Sequence, residues 1–198
     1  MSIIAAARRA AAIVAATASA LLLSGCLLTS ETLLVSPAEA EPIFADSFAL
    51  QPYKEAEGVF VFSTDAPGIY TRQPDNGYLD PDGQMTAYFL ARDDGRYLMA
   101  LNAQDGAMYG LVDRRGDLLE IAIVLDGDAA SLAAAGIPIP DGVHFEDGGA
   151  IIDDRAALDA AIALIADGTL ETSALLAWVG DGPAPPQLVA SGDWYAAP

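Results

Sequence analysis

The chain has 198 residues, with 28 Asp or Glu against nine Lys or Arg, for a formal charge of −19. Such a field repels phosphate backbones, which excludes nucleic acid as a partner. A single cysteine, Cys26, and a single histidine, His144, are too few for an intrachain disulfide, a zinc site built on thiolates or imidazoles, or an iron–sulfur cluster. Neither a P-loop nor a Gly-x-Gly-x-x-Gly fingerprint occurs, so no cofactor and no metal is assigned.

Residues 1–25 have the three parts of an export signal. Arg8 and Arg9 form a cationic start, Ala10 to Leu23 is uncharged and mostly apolar, and the small pair Ser24-Gly25 precedes Cys26. The stretch Leu-Leu-Leu-Ser-Gly-Cys, Leu21 to Cys26, resembles the lipobox of bacterial lipoprotein precursors. That resemblance covers only the first 26 residues and implies processing and address, with no activity attached. It implies that Leu23, Ser24 and Gly25 are read by the lipoprotein signal peptidase. Cys26 then becomes the new N-terminus and carries a diacylglycerol, usually with a further acyl chain such as palmitate. One acyl chain alone binds a membrane marginally, so two or more are needed for a stable anchor. Leu27, where an Asp would imply inner-membrane retention, implies the periplasmic face of the outer membrane in a Gram-negative envelope. The uncharged run Ala10–Ser30 is long enough to span a bilayer, but it is Ala-rich and broken by Ser24-Gly25.

Cleavage before Cys26 removes two arginines and no acid, which leaves 7 − 28 = −21 on residues 26–198. The acids are scattered through turns, a pattern that serves solubility. Residues 26–50 read as a lipidated N-terminus and a tether with two prolines and short apolar pieces. The alternative is that Leu33–Val35 and Ile43–Phe48 pack onto the domain.

The globular domain is expected over 51–180. Gly58–Ser63 and Gly68–Arg72 are rich in β-branched and aromatic residues and are separated by the turn sequence Asp65-Ala66-Pro67-Gly68. Glycines 83, 95, 106, 116 and 127 then recur at intervals of 12, 11, 10 and 11 residues, each beside Asp or Arg. The intervening runs QMTAYFLA, RYLMALNA, MYGLV and LLEIAIVL have strand length, which predicts an antiparallel meander. These strands are apolar on both faces. Leu119, Ile121 and Ile123 alternate with Leu118, Ala122 and Val124, so both faces must be covered.

Asp128 can cap a short helical turn ending at Gly136. His144 to Ile152 read as a hairpin. Asp153 or Asp154 can cap a helix over 155–166, where Leu158, Ile162 and Ile165 share one face and Gly168 ends it. Ala174–Val179 reads as a strand, and 181–198 as a loose Pro/Gly-rich tail. The resulting expectation is an α+β single domain: an antiparallel β-meander sheet of about six to eight short strands with one amphipathic helix, 155–166, packed on it.

Few residues suggest chemistry. His144 lies beside a turn, and no serine sits in a Gly-x-Ser-x-Gly setting. Two carboxylates would suffice for glycoside hydrolysis, but the acids here sit among turn residues, where Asp commonly bonds its own backbone. Asp75, Asn76, Asp80 and Asp82 are the best oxygen-rich candidates for calcium, although the EF-hand spacing fails at Tyr78. Phe60, Phe62, Tyr70, Tyr78, Tyr88, Phe89, Tyr97 and Tyr109 read as packing, or as the lining of a concavity or an exposed face. No catalytic residue is assigned, and the one site is lipid attachment at Cys26. The expected function is a lipid-anchored, non-enzymatic envelope protein that binds a protein partner or plays a structural role. The alternatives are a small-ligand-binding, barrel-like lipoprotein and a carboxylate-dependent hydrolase.

Overall fold

The computed structural model describes residues 25–56, 59–62, 67–126, 129–146, 149–170, 172–180, 184–191 and 194–196. Strand β1 is Gly25–Ser30, β2 is Ser47–Ala56, β3 is Val59–Phe62, β4 is Gly68–Arg72 and β5 is Tyr78–Leu79. The meander follows as β6 (Met85–Ala91), β7 (Tyr97–Ala103), β8 (Gly106–Arg115) and β9 (Leu118–Asp126). Helix α1 (Ala129–Ala134), β10 (Val143–Glu146), β11 (Gly149–Ile152) and helix α2 (Arg155–Ala166) come next. The chain ends with β12 (Thr172–Val179), β13 (Gln187–Ser191) and β14 (Trp194–Ala196).

The expected α+β sheet carrying a helix is not what forms. The described residues are mostly β and are built on a closed eight-stranded antiparallel barrel with two α-helices. Closure comes from β12. It pairs with β9 along Thr172–Trp178 and with β2 at Leu50–Pro52, and so joins the two ends of the run β2-β4-β5-β6-β7-β8-β9. The physical reason lies in the two-sided apolar strands. A coiled meander encloses one face when its ends are joined, and the joining strand lies far from β2 in sequence, where no local pattern announces it.

The enclosed face consists of Phe48, Tyr78, Ala87, Phe89, Met99, Val112, Leu119, Ile121, Ile123, Ala177 and Val179, with Phe44 inserted from the segment before β2. The opposite face of β6–β8 presents Tyr88, Leu90, Leu98, Ala100, Tyr109 and Leu111 to the buried side of α2 (Leu158, Ala161, Ile162) and to Leu28 and Ile152. Asp154 caps α2, its carboxylate accepting from the Ala157 amide at 2.9 Å. A third cluster, Tyr53, Leu118, Leu176 and Leu188, lies where β3 and β13 fold over the outer wall.

The segment 27–50 is packed and not free. Leu28, Val35, Ala40, Phe44 and Phe48 are all buried. Residues 187–191 and 194–196, expected to be loose, form strands, and Leu188 is buried.

Candidate functional site

Two parts of the molecule bear on function: the strand that begins at Gly25, and the barrel with its lumen and outer wall.

Strand β1 starts at Gly25. Gly25, Cys26 and Leu27 stand opposite Asp126, Leu125 and Val124 of β9, and Leu27–Thr29 run parallel to β11. The strand then changes partner, and Leu28–Ser30 pair with Tyr109–Ala107 of β8. This is possible because β8 and β9 pair only from Leu111↔Ala122 to Arg115↔Leu118 and diverge beyond that point. β1 fills the gap between them. Gly110 marks the fork, where a Cβ would lie 2.9 Å from the Ala122 carbonyl. Gly106, at φ 132°, would place a Cβ 2.5 Å from the Ser30 carbonyl. The fully buried Tyr109 fastens this segment. Its hydroxyl accepts from the Leu34 amide (2.8 Å), shares a proton with the Ser30 hydroxyl (2.8 Å) and donates to the Thr32 carbonyl (3.2 Å).

The lumen is occupied by the protein's own rings. Phe48 stacks on Tyr70 at 5.2 Å and meets Phe44 at 4.2 Å and Tyr78 at 5.1 Å, while Phe89 stands edge-on to Phe44 at 5.5 Å. The Tyr78 hydroxyl donates to the Phe44 carbonyl at 2.8 Å and accepts from its amide at 2.9 Å, which locks the inserted segment in place. The Arg114 guanidinium covers the Phe44 ring from outside at 4.8 Å. Burial pushes the Tyr70 and Tyr78 phenols above the ordinary tyrosine range, with Asp80 and Asp82 adding to the effect at Tyr70.

The outer wall is covered by α2 and β1 on one side and by β3 and β13 on another. The sector at β4 and β5 is open. Ile69 is 50% exposed there and lines a groove of about 620 Å³ with Thr71, Leu79, Pro81 and Asp82.

The remaining sequence candidates scatter. Asp75 accepts from the Gly77 amide at 3.1 Å and the Tyr88 hydroxyl at 2.9 Å, and Asp80 accepts from the Gln84 and Met85 amides at 2.6 and 2.9 Å. Both carboxylates brace turns. Among the described residues no three His, Cys, Asp or Glu converge on a metal-sized site. His144 sits on the edge strand β10 with its Nε2 2.7 Å from Asp153 Oδ2; both side chains are exposed, and no described hydroxyl completes a triad. Of the aromatics, Tyr70, Tyr78, Phe89 and Tyr97 go to the lumen, Tyr88 and Tyr109 to the outer wall, and Phe60 and Phe62 to the third cluster. Sequence reasoning missed Phe44 and Phe48 as lumen residues. Both lie in the segment read as a tether, and two phenylalanines four residues apart before a strand carry no barrel signature.

No family model matches the chain, and no curated protein or solved structure is detectably similar to it.

Proposed function

We propose that this is a lipid-anchored protein of the bacterial cell envelope, held through Cys26, whose barrel is a non-enzymatic module that binds a protein partner through its outer wall. The location that follows is the periplasmic face of the outer membrane, given Leu27 after the cysteine.

The observation that carries the module reading is where apolar surface remains available. Contacting side chains fill the lumen, whereas the wall at β4 and β5 leaves Ile69 half exposed in an open groove. Contiguous apolar surface ringed by polar groups marks a protein-contact site, and the groove has that composition, with Ile69, Leu79 and Pro81 beside Thr71 and Asp82. A second reading has one observation in its favour. Closed eight-stranded barrels also hold single small ligands, although the rings around Phe48 would first have to move apart.

Two measurements test the proposal. Intact mass of protein purified from native-type membranes, beside a Cys26→Ala control, should give a chain beginning at Cys26 with added diacylglycerol mass. A full-length or unlipidated mass overturns the anchor. Photo-crosslinkers at Ile69 and at the distant, exposed Asp141 should then give a discrete protein adduct from position 69 only. Equal crosslinking, or recovery of a bound small molecule by organic extraction, overturns the protein-binding reading.

A further inference from the structure

Residues 26–50 read from sequence either as a tether or as apolar pieces packed onto the domain, and the fold takes the second course, leaving no spacer after Cys26. Cys26 is the second residue of β1 and is held in register opposite Leu125. Leu28, two residues on, is buried at 1% exposure beneath the α2 cluster. Two residues span at most about 7 Å. The hydrogen bonds of Tyr109 to Ser30, Thr32 and Leu34 pin the chain beyond that point.

Alternating strand ends define two rims of the barrel. One holds the ends of β5, β7 and β9 with the starts of β6, β8 and β12; the other holds the ends of β4, β6, β8 and β12 with the starts of β7 and β9. Both ends of β1 lie at the first rim, Gly25 opposite Asp126 and Ser30 opposite Ala107. Of the seven Lys and Arg in residues 26–198 (nine less Arg8 and Arg9), five lie at the second rim: Arg72, Arg92, Arg96, Arg114 and Arg115.

We infer that the domain sits directly on the lipid headgroups with the first rim down, and that the arginine-bearing rim points away from the membrane. This orientation rests on the proposed lipidation of Cys26. A lipid on a residue already inside the sheet fixes orientation as well as location, because the chain between anchor and domain is too short to let the barrel turn over. The downward rim carries Asp105 in the β7–β8 turn, so charge does not draw it toward anionic lipid. Seating there depends on the acyl chains and the short connection. Four of the arginines stand beside an aspartate, Arg72 by Asp46, Arg92 and Arg96 by Asp94 and Arg115 by Asp113, while Arg114 donates to the Ile43 carbonyl; all five are left facing the compartment.

Strand β7 supplies the ruler, since its two ends are about 20 Å apart at roughly 3.3 Å per residue. With Cys26 occupied by lipid, Gln104→Cys and Asp93→Cys each introduce one labelling site, at the lower and upper turns respectively. The mature lipidated protein, labelled with a fluorophore at either site, is reconstituted on the outside of vesicles of phosphatidylethanolamine and phosphatidylglycerol bearing a headgroup nitroxide. Quenching should be several-fold stronger at position 104 than at 93. A flexible Gly-Ser insert after Leu27 should bring the two values together without unfolding the domain, as checked by circular dichroism. Equal quenching in the uninserted protein, or stronger quenching at 93, overturns the orientation while leaving the anchor intact. Absence of lipid mass on Cys26 overturns both.

Discussion

Tyr109 joins parts of the chain that lie 75 to 79 residues apart, and its ring is fully buried between β1 and the barrel wall. Removing only its hydroxyl leaves the Leu34 amide short of a partner, while the Thr32 carbonyl keeps the Ser30 hydroxyl at 2.5 Å. A buried orphan of this kind costs about 1–3 kcal/mol. Tyr109→Phe is therefore expected to lower the unfolding free energy measured in urea by that amount, and to accelerate amide exchange in Leu27–Ser30 ahead of the rest of the sheet. Unchanged exchange there would show that β1 is held by its ladder bonds alone. Tyr88 makes a different residue-scale point. Burial first, and then the neighbouring Asp75, pushes its phenol up to about 12 from the ordinary 10.0. A folded value above the unfolded one means that this group's stabilising contribution is complete below pH 10 and fades as the pH rises through about 12. Phenolate absorbance should show a tyrosine titrating late in the folded protein, and Tyr88→Phe should remove part of that late step.

At the scale of elements, α2 shows how a local signal becomes a packed face. Leu158, Ile162 and Ile165 fall on one side, Asp154 caps the start, and Gly168 at φ 78° ends the helix. Arg96 donates to the Ala166 carbonyl at 2.8 Å and places positive charge at the negative end of the helix. Ile162 is fully buried against the barrel wall. Ile162→Ala is expected to cost about 2–5 kcal/mol from lost transfer energy and the cavity left behind. Thermal unfolding checks this, and a loss under about 1 kcal/mol would mean that the helix relaxes onto the wall instead of being fixed there. The meander was legible for the same kind of reason. Gly83, Gly95 and Gly116 have positive φ in the turns between β5 and β9, so the glycine rhythm marks where the chain must reverse. β1 was not legible, because Leu27-Leu28-Thr29-Ser30 is short and carries no apolar–polar alternation of its own. Its strand state is decided by the fork that β8 and β9 leave open.

At the scale of the whole molecule, charge works against compactness. The chain carries −19, rising in magnitude to −21 without residues 1–25, and cations such as Arg72, Arg96 and Arg155 pair with acids on its surface. Self-repulsion of this size is screened as the Debye length falls from about 30 Å at 0.01 M salt to about 3 Å at 1 M. The urea midpoint is therefore expected to rise with sodium chloride over that range, most steeply at its lower end. A flat response would mean that the acids lie far enough apart for water alone to screen them.

The sequence by itself determined the short-range features: the turns marked by glycine, the amphipathic helix and the absence of disulfide support. Each is written in neighbouring residues, through backbone freedom at Gly95 or periodicity at Leu158 and Ile162. It also required that both faces of the strands be covered. What covers them was decided only by tertiary structure. β12 meets Pro52 of β2 across more than a hundred residues, Phe44 turns into the lumen, and the segment expected to be a tether becomes part of the sheet. Such pairings depend on how strongly a coiled sheet curves and on which surfaces remain unburied when it closes, and these are properties of the assembled strands, not of any stretch of the chain.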